Sequence, residues 1–365
     1  MHKECLHDII LHSHAIQLSD QILTLHHSVE QTENRLSHKL HLRDKLYYTI
    51  SPVFPMCGLY IVGSSLNGFG NNKSDMDLCL MITNRDIDQR SDAVTVLSSI
   101  MRTLQTTDFV ADQQLILAKV PILRIKFHPK ISDVIVDLNA NNSVAIRNTH
   151  LLCFYSSFDY RIRPLVAVVK EWAKRRGIND ANRSSFTSYS LVLMVIHYLQ
   201  CGADPPILPS LQVLYPKFFD SKADVRSLNI SIPLRPPPNQ IWPGFNANKA
   251  LLGELLIGFL QYYAYSFNFD TDAISVRLGC KTGRALVARN NSPFNHLSQW
   301  HCICIEEPFT LSNTAHSIYD ERIFSSIKQS FVTGYHELNV NRDLQSFLEQ
   351  IFSMKEANDE INIDT

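Results

Sequence analysis

A short β-branched run, GLYIV at 58–62, ends directly on the small-residue turn Gly63-Ser64-Ser65. Soon afterwards Asp75-Met76-Asp77 leads into a second apolar run, DLCLMI. The order strand, turn, short helix, strand constrains the fold, because it puts two kinds of phosphate chemistry on neighbouring elements. A small-residue turn offers backbone N–H groups and hydroxyls to phosphate oxygens, and carboxylates hold divalent metal. On a strand, residues two apart share a face, so Asp75 and Asp77 project together while Met76 and Leu78 face the core. A third acid, Asp137 in VIVDLNA, lies on a neighbouring strand and could converge on them. Two carboxylates about 4 Å apart repel by roughly 4 kcal/mol at an effective dielectric of 20. Such a group favours either protonation or a bound cation. The competing reading is a set of solvated strand acids.

The flanking patterns complete an α/β unit. Apolar residues at Leu18, Ile22, Leu25, Val29, Leu36, Leu40 and Ile50 recur at helical spacing and predict one or two amphipathic helices before SPVFP. A helix is expected over 91–104 with Val94, Leu97, Ile100 and Leu104 inward. Strands are expected over 116–127 and 133–140. After Asn148 the chain turns helical: PLVAVVKEWAKRRG stops at Gly177, SYSLVLMVIHYLQ runs to Cys201-Gly202, and LLGELLIGFLQYYAYSF covers 251–267. IPLRPPPNQIWPG at 232–244 reads as a Pro-rich surface loop. Residues 282–300 read as irregular, and CICIEEPF as a strand entering a turn.

Composition excludes several classes. The 365 residues are 45% hydrophobic and 19% charged, as in a globular protein. A net charge of −1 does not mark a nucleic-acid binder, so that case rests on local charge. Eight scattered cysteines and no secretory leader predict reduced thiols in a cytosolic or nuclear setting. LVLMVI at 191–196 is too short to span a bilayer, so no membrane association is expected. The His-rich start and Cys302-x-Cys304 lack a zinc pattern. The turn lacks the Lys of a P-loop, and GFG at 68–70 is no dinucleotide fingerprint.

Two further groups bear on phosphate. Lys170 and Lys174 sit four apart on one helix face, in a stretch also holding Arg161, Arg163, Arg175, Arg176 and Arg183. They are either a solvated face or a pair of ammonium groups for a triphosphate. Ser188-Tyr189 opens an apolar helix, either as N-cap and core residue or as a phosphate hydroxyl and a base-stacking ring.

Taken together, GSSLNGFG, SDMDLCL, VDLNANNSVAIRNT, RPLVAVVKEWAKRRGINDANRSSFTSYSLVLMVIHYLQ, CIEEPF and NTA resemble cytoplasmic poly(A) polymerases of the germline-regulating type, in the DNA-polymerase-β-like nucleotidyltransferase superfamily. The resemblance implies an α/β nucleotidyltransferase domain at 46–147, with a mixed sheet and helices. It is inserted into a mostly α-helical central domain formed by 1–45 and 148–365, with the active-site cleft between them. It implies that Gly63 and Ser64 bind the triphosphate and that Asp75, Asp77 and Asp137 are the catalytic, metal-holding acids. Asn148 would read the ribose 2′-hydroxyl, Lys170, Lys174 and Ser188 would contact phosphates, and Tyr189 would stack on the base. The implied cofactors are two Mg²⁺ ions, with Mn²⁺ as a substitute, and ATP is the implied substrate.

The resemblance also implies RNA 3′ ends as acceptors, with weak intrinsic affinity because no RNA-recognition module is present. An RNA-binding adaptor would dock on the helical domain, and DNA is not an expected partner. Residence in the cytoplasm, or also in the nucleus, follows from the same likeness. Uridylyl-adding relatives often carry a His in the loop after the E-[DE]-P-F motif, just before its Asn. Here Ser312 runs straight into Asn313, which resembles the adenylyl-adding branch, while His316 stands where many relatives have Arg. The rival readings are a terminal uridylyltransferase and a catalytically inactive scaffold in an RNA–protein complex.

Overall fold

The computed structural model describes residues 2–234, 247–288 and 300–349. The chain forms two compact units, and the first break falls at the end of α1 (His2–Val29). One unit comprises Val29–Ser157 and Lys217–Leu234. The other comprises Met1–Ser28, Phe158–Pro216 and the described parts of Arg235–Thr365.

The first unit is built on a five-stranded mixed sheet of order β1-β2-β5-β4-β3. Its strands are β1 (Gly58–Val62), β2 (Met76–Met81), β3 (Val110–Ile116), β4 (Ile122–Phe127) and β5 (Ile135–Ala140). β2 and β5 pair in parallel and the other neighbours are antiparallel. Alternation divides the side chains. Leu59, Ile61, Met76, Leu78, Leu80, Leu123, Ile125, Val136 and Leu138 form a buried core with α2 (Glu33–Ile50) and α3 (Asp92–Leu104). On the opposite face Val62, Cys79 and Met81 pack with Ile146 of α4 (Ser143–Phe158) and with Val225. The unit is therefore larger than the 46–147 read from sequence, because α2, α4 and Lys217–Leu234 cover the two faces of the sheet.

Several sequence expectations change. The run 116–127 is not one strand. It breaks at 117–121, and the polar segment VADQQLI upstream supplies an edge strand, β3. The inward stripe of α2 is Lys39, Leu42, Leu46 and Ile50 rather than Leu36 and Leu40, and Leu40 is 37% exposed. On α3, Ala93 and Val96 turn inward, whereas Val94 is only half-buried.

The second unit is mostly helical. Besides α1 it holds α5 (Ile162–Arg175), α6 (Ser188–His197), α7 (Leu211–Leu214), α8 (Leu252–Gln261), α9 (Arg284–Ala288), α10 (Glu321–Asn341) and α11 (Leu344–Glu349). Trp172 of α5 is 1% exposed and anchors the core. It meets Phe331 of α10 edge-on at 5.2 Å and stacks on Phe347 of α11 at 6.2 Å. The expected helix 251–267 is α8 continued by a π-turn, Tyr262–Ser266. CICIEEPF forms isolated bridges, Ile305 to Ile274 and Glu306 to Asn313, rather than a strand. The small hairpin of β6 (Asp272–Ser275) and β7 (Cys280–Gly283) is an addition. The region 282–300 opens with the end of β7 and with α9, and 289–299 lie outside the described residues, as do 235–246 of the Pro-rich stretch. Among the described residues no helix is long and apolar enough to cross a membrane.

Candidate active site

The Gly63–Ser65 turn leaves β1 as a single 3₁₀ turn. Gly63 has φ +67°, in the left-handed region that favours glycine. A Cβ there would also stand 2.6 Å from Asp77 Oδ2, so glycine lets the turn lie against the acid. A Cβ on Gly70 would lie 2.4 Å from the Ser64 carbonyl oxygen, so glycine is needed under the turn too. The Gly63 N–H donates to Thr149 Oγ1 at 2.8 Å, and that hydroxyl donates to the Ala145 carbonyl at 2.7 Å, tying α4 to the turn.

Strand register assembles the acids. Asp77 pairs with Val62 on one side and with Asp137 on the other, and Asp137 pairs with Arg124 of β4. These residues make one row on one face of the sheet, and Asp75 lies two residues before Asp77 at the mouth of β2. Burial, followed by the charges of Asp137 and Asp75, pushes Asp77 up from its ordinary 3.8 to about 7. Burial and then Asp137 raise Asp75 as well. Lys39 and Arg124 oppose both shifts. Arg124 grips Asp137 through both oxygens, Nε to Oδ1 at 2.8 Å and Nη2 to Oδ2 at 2.7 Å. Among the described residues no three His, Cys, Asp or Glu side chains converge tightly enough to hold an ion as they are placed. The donor set is nonetheless all carboxylate oxygen, which suits a hard divalent cation.

The remaining sequence candidates fall on both units. Asn148, on α4 of the α/β unit, keeps its buried Oδ1 without a hydrogen-bond partner among the described residues. Lys170, Lys174, Ser188 and Tyr189 lie on α5 and α6 of the helical unit, two helices that pack on each other. Lys170 is half-buried and its pKa is lowered by burial, whereas Lys174 is exposed. Ser188 is not the N-cap. Thr187 takes that role, its hydroxyl accepting from the Ser190 N–H, and Ser188 Oγ donates to Asn179 Oδ1 at 3.2 Å. The Tyr189 hydroxyl donates to Glu307 Oε1 at 3.3 Å, and burial followed by Glu307 raises its pKa well above 10. Sequence reasoning missed Arg124, Thr149 and Lys39. For Lys39 and Arg124 a signal existed: a cation at a core position of an amphipathic helix, and another in a buried strand.

Comparison with known proteins agrees with this fold. The family described as the central palm domain of mitochondrial-like poly(A) RNA polymerase matches residues 18–157. The family described as Cid1 family poly A polymerase matches 251–313. A Caenorhabditis elegans protein named poly(A) RNA polymerase gld-2 is 56% identical over 371 residues, covering 91% of this chain. This chain spans 33% of that relative's length. A solved structure described as the GLD-2/RNP-8 complex superposes with a TM-score of 0.83 at 58% identity, covering 92% of this chain and 98% of that one. Another, of the complex GLD-2 - GLD-3 and described as a non canonical poly(A) polymerase, gives 0.73 at 58% identity, over 91% and 97%. The chain belongs to the Cid1-type family of poly(A) RNA polymerases.

Proposed function

We propose that the protein is a template-independent RNA adenylyltransferase that adds AMP from ATP to RNA 3′ ends. The observation that carries the reading is the strand register of Asp77 and Asp137, with Asp75 beside them and the Gly63–Ser65 turn against Asp77. In the reaction the RNA 3′ oxygen attacks the α-phosphorus in line and pyrophosphate leaves. Asp75, Asp77 and Asp137 would hold Mg²⁺, for which Mn²⁺ can substitute. Divalent cations, when bound, supply positive charge for the attacking and leaving oxygens and ease deprotonation of the hydroxyl.

The other roles belong to the protein's own groups. Gly63 and Ser64 hold the triphosphate, and the Ser64 hydroxyl makes no hydrogen bond among the described residues that would compete. Asn148 receives the ribose 2′-hydroxyl, for which its unpartnered Oδ1 is a ready acceptor. Lys170, Lys174 and Ser188 contact phosphates, and Tyr189 stacks on the base with its hydroxyl already anchored by Glu307. An RNA-binding adaptor on the helical unit delivers the transcript. The complexes of the GLD-2 relatives with RNP-8 and with GLD-3 support that reading. The likeness to germline-regulating polymerases supports a cytoplasmic role in translational control.

The test is extension of a short labelled oligo-A RNA with Mg²⁺ and each nucleoside triphosphate in turn. A ladder with ATP alone, lost on Asp77→Ala, is the expected result. A ladder with UTP replaces the adenylyl assignment, and silence with candidate adaptors present overturns the enzyme reading.

A further inference from the structure

Lys39 is an unusual tenant of a hydrophobic stripe. It occupies the core position that precedes Leu42, Leu46 and Ile50 on α2, and it is 0% exposed. A buried ammonium is costly unless it is hydrogen-bonded and its charge is compensated. Among the described residues no carboxylate touches it directly. Its Nζ donates to Gln31 Oε1 at 2.8 Å and to Ser65 Oγ at 2.8 Å. Ser65 Oγ in turn donates to the Asp75 carbonyl at 3.1 Å, and Gln31 Nε2 donates to the Ser65 carbonyl at 2.9 Å. Ser65 is thereby held through its hydroxyl and its carbonyl, and it links the last residue of the turn to the backbone that presents Asp75.

Burial, then the nearby Arg35, lower the Lys39 pKa to about 8, while Asp77 and Asp75 support its charged form. The acids are therefore the compensating charges for this lysine. Arg35 is already committed to Asp133 through a fork at 2.6 and 3.2 Å, which leaves Lys39 as the cation behind the turn.

We propose that Lys39 is a positioning residue for triphosphate binding: from inside the fold it clamps Ser65 and fixes the Gly63–Ser65 turn against Asp75. The proposal rests on the nucleotidyltransferase reading above and adds a residue that touches neither substrate nor metal. A lysine kept only for packing would be replaceable by an apolar side chain of similar length with no kinetic consequence. A clamp would not be.

The experiment compares wild type, Lys39→Met and Ser65→Ala by thermal unfolding, by titration calorimetry with ATP–Mg²⁺, and by RNA extension. For Lys39→Met the proposal expects a folded protein with a melting temperature at or below wild type, since removing one member of a compensated buried set leaves Gln31, Ser65 and the acids without their cation. It also expects ATP affinity to weaken and KM for ATP to rise by about tenfold or more, with KM for RNA unchanged. Ser65→Ala should shift the same parameters in the same direction. Wild-type ATP affinity and KM in a folded Lys39→Met protein overturn the proposal. Should Lys39→Met not fold, wild-type values in Ser65→Ala overturn it. If wild type binds ATP but extends no RNA, the polymerase reading fails while the calorimetric difference still decides the role of Lys39.

Discussion

Glu306 of the helical unit is a buried carboxylate and Asp77 of the α/β unit a half-buried one, and their surroundings differ. Glu306 is fully satisfied. Ser275 Oγ donates to its Oε1 at 2.7 Å, and Arg277 forks onto its two oxygens at 3.0 Å each. Asp77 accepts no side-chain hydrogen bond among the described residues, faces Asp75 and Asp137, and is pushed up to about 7. A carboxylate that serves the fold is neutralised by its own neighbours. One left with repulsion and desolvation is suited to a ligand that supplies the missing charge.

Replacing each acid tests the contrast. Asp77→Ala should cost at least about a thousandfold in RNA extension while leaving the melting temperature of the metal-free protein unchanged or higher. Glu306→Ala should do the reverse. Breaking the buried pair leaves Arg277 uncompensated and costs about 3–5 kcal/mol in denaturant unfolding. Equal stability losses in the two variants would erase the distinction.

The pH dependence sharpens it. Asp77 has a folded pKa of about 7 against an ordinary 3.8, so the folded state binds its proton more tightly than the unfolded chain does. Its contribution is fully present below about pH 4 and is lost as pH rises through about 7. In EDTA the wild-type unfolding free energy should therefore decline across that window, by about 2–4 kcal/mol from this group. Asp77→Asn should flatten that component, which urea titrations at several pH values would show.

The smallest expected effect is at the turn. Gly63→Ala puts a Cβ at 2.6 Å from Asp77 Oδ2 at a positive φ, and should cost about 1–2 kcal/mol of stability along with much of the ATP affinity. A thermal melt and an ATP titration on one sample measure both.

How much of this was legible depended on the range of the interaction. Asp75 and Asp77 were readable because strand alternation is local, and Gly63 because its turn follows an obvious strand. That Asp137 sits level with Asp77 is a matter of register between β2 and β5, which no local pattern carries. Lys39 escapes a sequence reading for a physical reason: a hydrophobicity pattern skips a lysine and places the stripe of α2 on Leu36 and Leu40 instead. The extent of the α/β unit was hidden as well, because an amphipathic helix shows that it has a partner without showing which one.

β3 escaped notice because it is polar, and its polarity has a bearing on solubility. As an edge strand it leaves one row of backbone groups unpaired by the sheet. It carries Asp112, Gln113 and Gln114, departs from regular pairing between Val110 and Asp112, and sets Asp112 against Lys126 at 3.2 Å. A second molecule adding a strand at this border would have to desolvate those charges and match an irregular register. The residues that made the strand hard to see in the sequence thus discourage sheet-to-sheet aggregation between copies of the chain.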